Sequence, residues 1–199
     1  MSTTLPTYFI SHGGGPWPWV PPMRDFFAPL EASLKQMIID HGARPKAILM
    51  ISGHWEEEDV AIMGSAKPPM IYDYSGFPPH TYEITYDAPG APDIAARTLG
   101  LLQEAGIAAH IDPDRGFDHG LYAPMEVMYP NADMPIFQLS MLKSYDPADH
   151  FAIGRALKPL RDEGIMIVGS GLSFHNLRLR DAMLPSRRPA HRCAHVHTT

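Results

Sequence analysis

The sequence predicts an α/β fold, a single domain with a mostly parallel central sheet flanked by helices. Two observations carry that expectation. Three apolar runs each lead into a small-residue turn bearing a histidine. Thr7-Tyr8-Phe9-Ile10 leads into Ser11-His12-Gly13-Gly14-Gly15, and Ala47-Ile48-Leu49-Met50-Ile51 into Ser52-Gly53-His54-Trp55-Glu56. Ile165-Met166-Ile167-Val168 leads into Gly169-Ser170-Gly171-Leu172-Ser173-Phe174-His175. Runs without alternation suit strands buried on both faces, as in a parallel sheet. The second observation is that strand-like and helix-like segments alternate through short turns. Open α/β sheets place their sites beyond the carboxyl ends of the strands, so neighbouring strands would bring the imidazoles together there. Neutral imidazole is the commonest metal ligand among side chains, which makes a metal site at the carboxyl ends of strands the first expectation.

Each element has its own justification. Residues 5–10 read as a strand, and residues 24–41 as one helix, with Phe26, Phe27, Leu30, Leu34, Met37 and Ile38 at helical spacing. Residues 46–52 and 60–63 read as strands. Residues 70–90 form a long connection rich in Tyr, Pro and Gly, with Tyr82-Glu83-Ile84-Thr85-Tyr86 alternating like a strand. Pro92 and Asp93 open a helix that runs to about Ala105 before Gly106. Residues 108–111 and 135–141 read as strands, with a short helical pattern between them after Asp118-His119-Gly120. Asp146-Pro147 opens a last helix to about Glu163, followed by the strand over 165–169. Proline, with 21 residues, exceeds the usual share of about one in twenty and clusters at residues 16–22, 68–69 and 78–79. These read as stiff loops, able to wall a pocket beside a histidine turn.

Composition narrows the partners. The chain of 199 residues is 45% hydrophobic and 19% charged, enough for a real core. A formal charge of -6 leaves no basic stripe for phosphates, so no nucleic acid is expected. The single Cys193 excludes an intramolecular disulfide and a cysteine-rich zinc site. No leader pattern opens the chain and no apolar stretch approaches membrane-spanning length, so a cytoplasmic protein without a membrane partner is expected. A homo-oligomer is compatible with the sequence.

The histidine settings leave alternatives open. His12-Gly13-Gly14-Gly15 suits a metal ligand on a tight turn, and also the oxyanion loop of an esterase. The esterase reading needs a Gly-x-Ser-x-Gly elbow, which the chain lacks. Glu56, after His54, is expected to orient an imidazole rather than to complete a two-His, one-carboxylate set. Asp118 beside His119 is expected to hold that ring. His41, His80, His110 and His150 lack such settings, although His80 follows Phe77-Pro78-Pro79 and can border a pocket. The 12 methionines read as core filler.

Together these motifs resemble the class III extradiol ring-cleavage dioxygenases of the LigB-like superfamily, closest to the DOPA 4,5-dioxygenase type. The resemblance rests on Ser11-His12-Gly13, on Ser52-Gly53-His54-Trp55-Glu56, and on Gly76-Phe77-Pro78 through Tyr82-Glu83-Ile84 to Tyr86-Asp87-Ala88-Pro89-Gly90. It continues through Asp118-His119-Gly120 and Gly169-Ser170-Gly171 to His175-Asn176-Leu177-Arg178, in order over about residues 5–185. It implies a catechol-type, DOPA-like aromatic diol as substrate, with O2 as co-substrate at one mononuclear Fe(II) or Zn(II). By the same resemblance, His12 and His54 are metal ligands. His175 stands at the metal as ligand or as acid–base residue, and His119 binds or protonates the substrate. Trp17, Trp19, Trp55 and Tyr122 can face an aromatic ring, with core packing expected for at least two of them. The alternatives are a zinc-dependent hydrolase and a catalytically impaired metal-binding protein of the same fold. The catalytic domain is expected over residues 1–186. Residues 187–199 carry no acid and no hydrophobic period, and are expected to be an irregular tail standing where the family supplies a further ligand-bearing segment.

Overall fold

The computed structural model describes residues 4–173. Six strands form one sheet in the order β1-β6-β2-β5-β3-β4. They are β1 (Thr7–Ser11), β2 (Ala47–Glu57), β3 (Val60–Met63), β4 (Ala109–Asp112), β5 (Ile136–Leu142) and β6 (Ile165–Gly171). Strands β1, β6, β2 and β5 run parallel, while β3 pairs antiparallel to β5 and parallel to β4. The expected mostly parallel α/β sheet is therefore present. Strands β1, β2 and β6, built from the three apolar runs, include two direct pairings, β1 with β6 and β6 with β2.

The apolar runs make the centre of the sheet. Ile48, Leu49 and Met50 of β2 and Met166 and Val168 of β6 are fully buried. Burial of each such side chain stabilises by about 1.5–3 kcal/mol. The helices are α1 (Pro21–Phe26), α2 (Ala28–His41), α3 (Pro92–Glu104), α4 (His119–Met128) and α5 (Pro147–Asp162). Helix α2 packs on α4, which lies over β2 and β6, and α3 packs on α5. Asp146 caps α5 by accepting from the Ala148 N–H at 2.8 Å. Among the described residues, no helix is long and apolar enough to cross a membrane.

Three elements differ from the sequence expectation. The helix expected over 24–41 is two helices, broken at Phe27. Pro29 in the first turn of α2 has no N–H to continue the earlier ladder, so it suits a start and not an interior. Residues 82–86 are not a strand. Pro79–Tyr82 form a 3-10 turn, and the segment after it is irregular. Finally, β2 runs on to Glu57, with its register against β5 shifting between Ile51 and Glu56. Such irregularities re-aim side chains, and this one carries His54.

Candidate metal centre

Sheet register places the histidines. Ile10 of β1 pairs with Ser170 of β6, which pairs with Ser52 of β2. His12 and His54 each stand two residues beyond this row, at the carboxyl edge of the sheet. His119 enters from the first residue of α4. The three imidazoles lie together, with one nitrogen of each within 4.8 Å of the others. Ring centroids are 4.8 Å apart for His12 and His54, 4.1 Å for His54 and His119, and 5.4 Å for His12 and His119.

Two glycines make this approach sterically feasible. Gly13 has φ +77°, and a Cβ there would sit 2.6 Å from the Trp17 indole. That indole donates from Nε1 to the His12 carbonyl at 2.8 Å and fixes the turn. A Cβ on Gly120 would stand 2.4 Å from Ser52 Oγ and 3.0 Å from the His54 ring, so the first turn of α4 tolerates no side chain there.

Hydrogen bonding fixes where the protons sit. Ser170 Oγ donates its one proton to the Gly120 carbonyl. At His12 Nδ1, 3.1 Å away, Ser170 can therefore only accept. His12 carries its proton on Nδ1 and leaves a lone pair on Nε2. Asp73 stands behind the other two rings. Its Oδ1 accepts from His119 Nδ1 at 2.8 Å, and its Oδ2 lies 3.3 Å from His54 Nδ1. An ionised carboxylate only accepts, so the His119 ring carries Nδ1–H, and the second oxygen of the same carboxylate faces His54 Nδ1. Burial pushes the Asp73 carboxyl upward, but the hydrogen bonds it accepts from the His119 ring and backbone outweigh it. The group is held below its ordinary carboxylate value.

His12 Nε2 and His54 Nε2 face each other at 3.2 Å. Two ring nitrogens this close suit either a shared proton or a cation between them. Two nitrogens that each bind one ion at roughly 2.0–2.1 Å stand about this far apart. The donor set thus fits a metal.

The other sequence expectations divide. Asp118 does not hold His119. It occupies the cap position of α4 without a side-chain capping bond. Its fully buried carboxylate instead accepts from Ser52 Oγ at 2.8 Å, Gln138 Nε2 at 2.9 Å and Arg115 at 2.6 Å. The His119 N–H, one of the donors a helix start leaves open, goes to Asp73 at 3.0 Å. Glu56, expected to orient an imidazole, has its carboxylate engaged by the Tyr145 hydroxyl on the exposed side. The carboxylate at the imidazoles is Asp73, which no local spacing announces. His175 lies outside the described residues. His150 is structural, with Nδ1 2.8 Å from the Asp146 carbonyl and Nε2 accepting from the Leu142 N–H.

Aromatic residues stand beside His119. The Tyr74 ring lies 5.9 Å from it and packs on Phe77 and Tyr82. His80 Nε2 sits 3.2 Å from the Trp19 carbonyl, joining the 79–82 turn to the 17–19 turn. The Trp19 ring meets Tyr122. Burial pushes the hydroxyls of Tyr74 and Tyr122 up, so both are neutral phenols at ordinary pH. Trp17 and Trp55 are core residues, with Arg115 stacked 4.7 Å over the Trp55 ring.

Comparison with known proteins adds ancestry. Residues 6–185 match the family model described as the catalytic LigB subunit of aromatic ring-opening dioxygenase. Dioxygenase tasH of Hapsidospora irregularis is 45% identical over 187 residues, which cover 91% of this chain and 58% of that protein. The 4,5-DOPA dioxygenase extradiol of Beta vulgaris is 39% identical over 85% of this chain and 62% of its own length. That of Escherichia coli K12 is 40% identical over 89% of this chain and 62% of its own length. A solved structure of an uncharacterized Escherichia coli K12 protein superposes with a TM-score of 0.62 at 38% identity, covering 75% of this chain and 55% of that one. The chain thus spans about three fifths of the length of these relatives.

Proposed function

The chain belongs to the LigB family of aromatic ring-opening dioxygenases, and from that premise we propose that it opens a catechol-type aromatic diol, DOPA-like in shape, with O2 at one mononuclear metal. The observation that carries the reading is the pair of facing Nε2 atoms of His12 and His54, 3.2 Å apart. His12 and His54 hold the metal, and His175, beyond the described residues, completes the set. Fe(II) is the resident ion that suits oxygen chemistry, with Zn(II) the competitor for the same nitrogens. When bound, the metal supplies a site where diol and dioxygen meet and exchange electron density.

The protein's own groups do the rest. His119 presents Nε2 into the site with its proton held on Nδ1 by Asp73, so it first accepts a proton from a substrate hydroxyl and later returns it. Tyr74 packs its ring beside that of His119, with its hydroxyl proton committed to the Thr81 carbonyl. The aromatic turns around Trp19, Phe77 and Tyr82 form an apolar wall for a flat ring. The catalytic unit is residues 1–186.

Oxygen uptake tests the proposal. After anaerobic loading with Fe(II), addition of catechol or DOPA in air should consume one O2 per ring opened and yield a yellow semialdehyde product. An Fe(II)-loaded protein that leaves both diols and oxygen untouched would overturn it. Metal-dependent hydrolysis of an ester without oxygen uptake would favour the zinc hydrolase instead.

A further inference from the structure

The Asp73 carboxylate reaches two imidazoles of the site. Its Oδ1 accepts twice from His119, from the backbone N–H at 3.0 Å and from Nδ1 at 2.8 Å. Its Oδ2 lies 3.3 Å from Nδ1 of His54. The carboxylate is therefore shared between a ring that faces His12 and a ring set back from it. Rotating it to favour one ring breaks its contact with the other.

The backbone on either side of Asp73 is pinned. Ile71 N–H donates to the Phe117 carbonyl at 2.8 Å, and Phe117 N–H donates to the Pro69 carbonyl at 2.8 Å. Met70 and Phe117 form a parallel bridge. The Tyr72 hydroxyl donates to the Ile84 carbonyl at 2.7 Å, and the Tyr74 hydroxyl to the Thr81 carbonyl. These bonds tie the loop both to the residues leading into α4 and to its own far end. A side chain held this way can set the orientation of its partners, because its own rotamer has little room to move.

We infer that Asp73 is a positioning residue that fixes the tautomer of His54 and His119 together, so that both present an unprotonated Nε2 to the site. The inference rests on the metal-site reading above, and it assigns a task that reading leaves open. A histidine with its proton on Nε2 must lose that proton before it can bind a metal or accept a proton from substrate. Without an acceptor behind Nδ1, neutral imidazole is free to place its proton on either nitrogen. Asp73 removes that freedom at two rings with one carboxylate. Ser170 does so separately for His12.

An amide tests this sharply. Asp73→Asn keeps the size and one acceptor oxygen but turns the other position into a donor. If the oxygen stays with the two His119 donors, the amide nitrogen faces His54 Nδ1, and His54 must shift its proton to Nε2. Histidine 15N NMR of the metal-free protein at about pH 8 reads this directly. In the wild type, His54 and His119 should both show the Nδ1–H pattern. In Asp73→Asn one of the two should switch, and Co(II) affinity should fall about 10–100-fold, the usual cost of losing a partner behind a ligand. Asp73→Glu keeps a carboxylate, and it should retain the Nδ1–H pattern and recover more affinity than Asp73→Asn. An Nε2–H pattern at either ring of the wild type overturns the inference without any variant. So does an Asp73→Asn protein with both tautomers unchanged. If the wild type binds no Co(II), the metal reading fails, while the tautomer pattern still decides the role of Asp73.

Discussion

Two regions of the molecule share strands β1, β2 and β6 and carry different kinds of surface. The carboxyl edge gathers His12, His54 and His119, each with a polar group behind its ring. The face between the sheet and α5 holds a cavity of about 560 Å³ lined by Tyr8, Phe9, Ile51, Leu139, Phe151 and Ile167, among others. Strand β1 sends Phe9 to the cavity and His12 to the edge, and β2 sends Ile51 to one and His54 to the other. The cavity is roomy and mostly apolar, with Phe9 71% and Phe151 69% exposed, and it includes none of the three imidazoles. Volume marks where apolar surface is uncovered. Convergent donors with fixed protons mark where chemistry can occur.

That contrast can be broken from either side. The largest effect is expected at His119. His119→Gln should keep the metal and lose about 100- to 10,000-fold in ring opening, the usual contribution of an acid–base group. An unchanged rate would remove it from the proton path. Next comes Asp118→Ala, which strips a fully buried carboxylate from Arg115, Gln138 and Ser52. Breaking such a buried ion pair costs about 3–5 kcal/mol, read as a lower urea midpoint. Gly13→Ala should cost about 1–3 kcal/mol, because it forces a side chain into φ +77° and against Trp17. Its metal affinity should also fall, since Trp17 holds the His12 carbonyl. The smallest effect is expected in the cavity. Phe9→Ser and Phe151→Ser should each stay within about 0.5 kcal/mol of wild type and leave metal binding alone, as exposed positions do. Loss of metal in either would tie the two regions together.

The sheet was legible because its signal is local. Unalternated runs such as Ile48-Leu49-Met50 have few other ways to be buried. His12 and His54 follow two of these runs and His119 stands in Asp118-His119-Gly120, and the fold brings all three together. What escaped was the set of groups behind the rings. Glu56 and Asp118 were the natural choices because they adjoin His54 and His119 in sequence. Sequence proximity does not choose a hydrogen-bond partner, and both carboxylates found theirs elsewhere. Asp73 sits in a Tyr-rich loop and reaches the site only through the pairing of residue 70 with residue 117, a contact that no periodicity records. The split of the expected helix at Phe27 was readable in principle from Pro29, whose missing N–H outweighs the apolar spacing around it.

The central claim is that His12 and His54 hold one metal ion between them. Titration of Co(II) into the purified protein, followed by its visible absorption and by elemental analysis, tests it most directly. The account predicts one ion per wild-type chain, with binding lost in His12→Ala, in His54→Ala and in the double variant while circular dichroism shows the fold retained. A double variant that still takes up one ion per chain at wild-type affinity would contradict it.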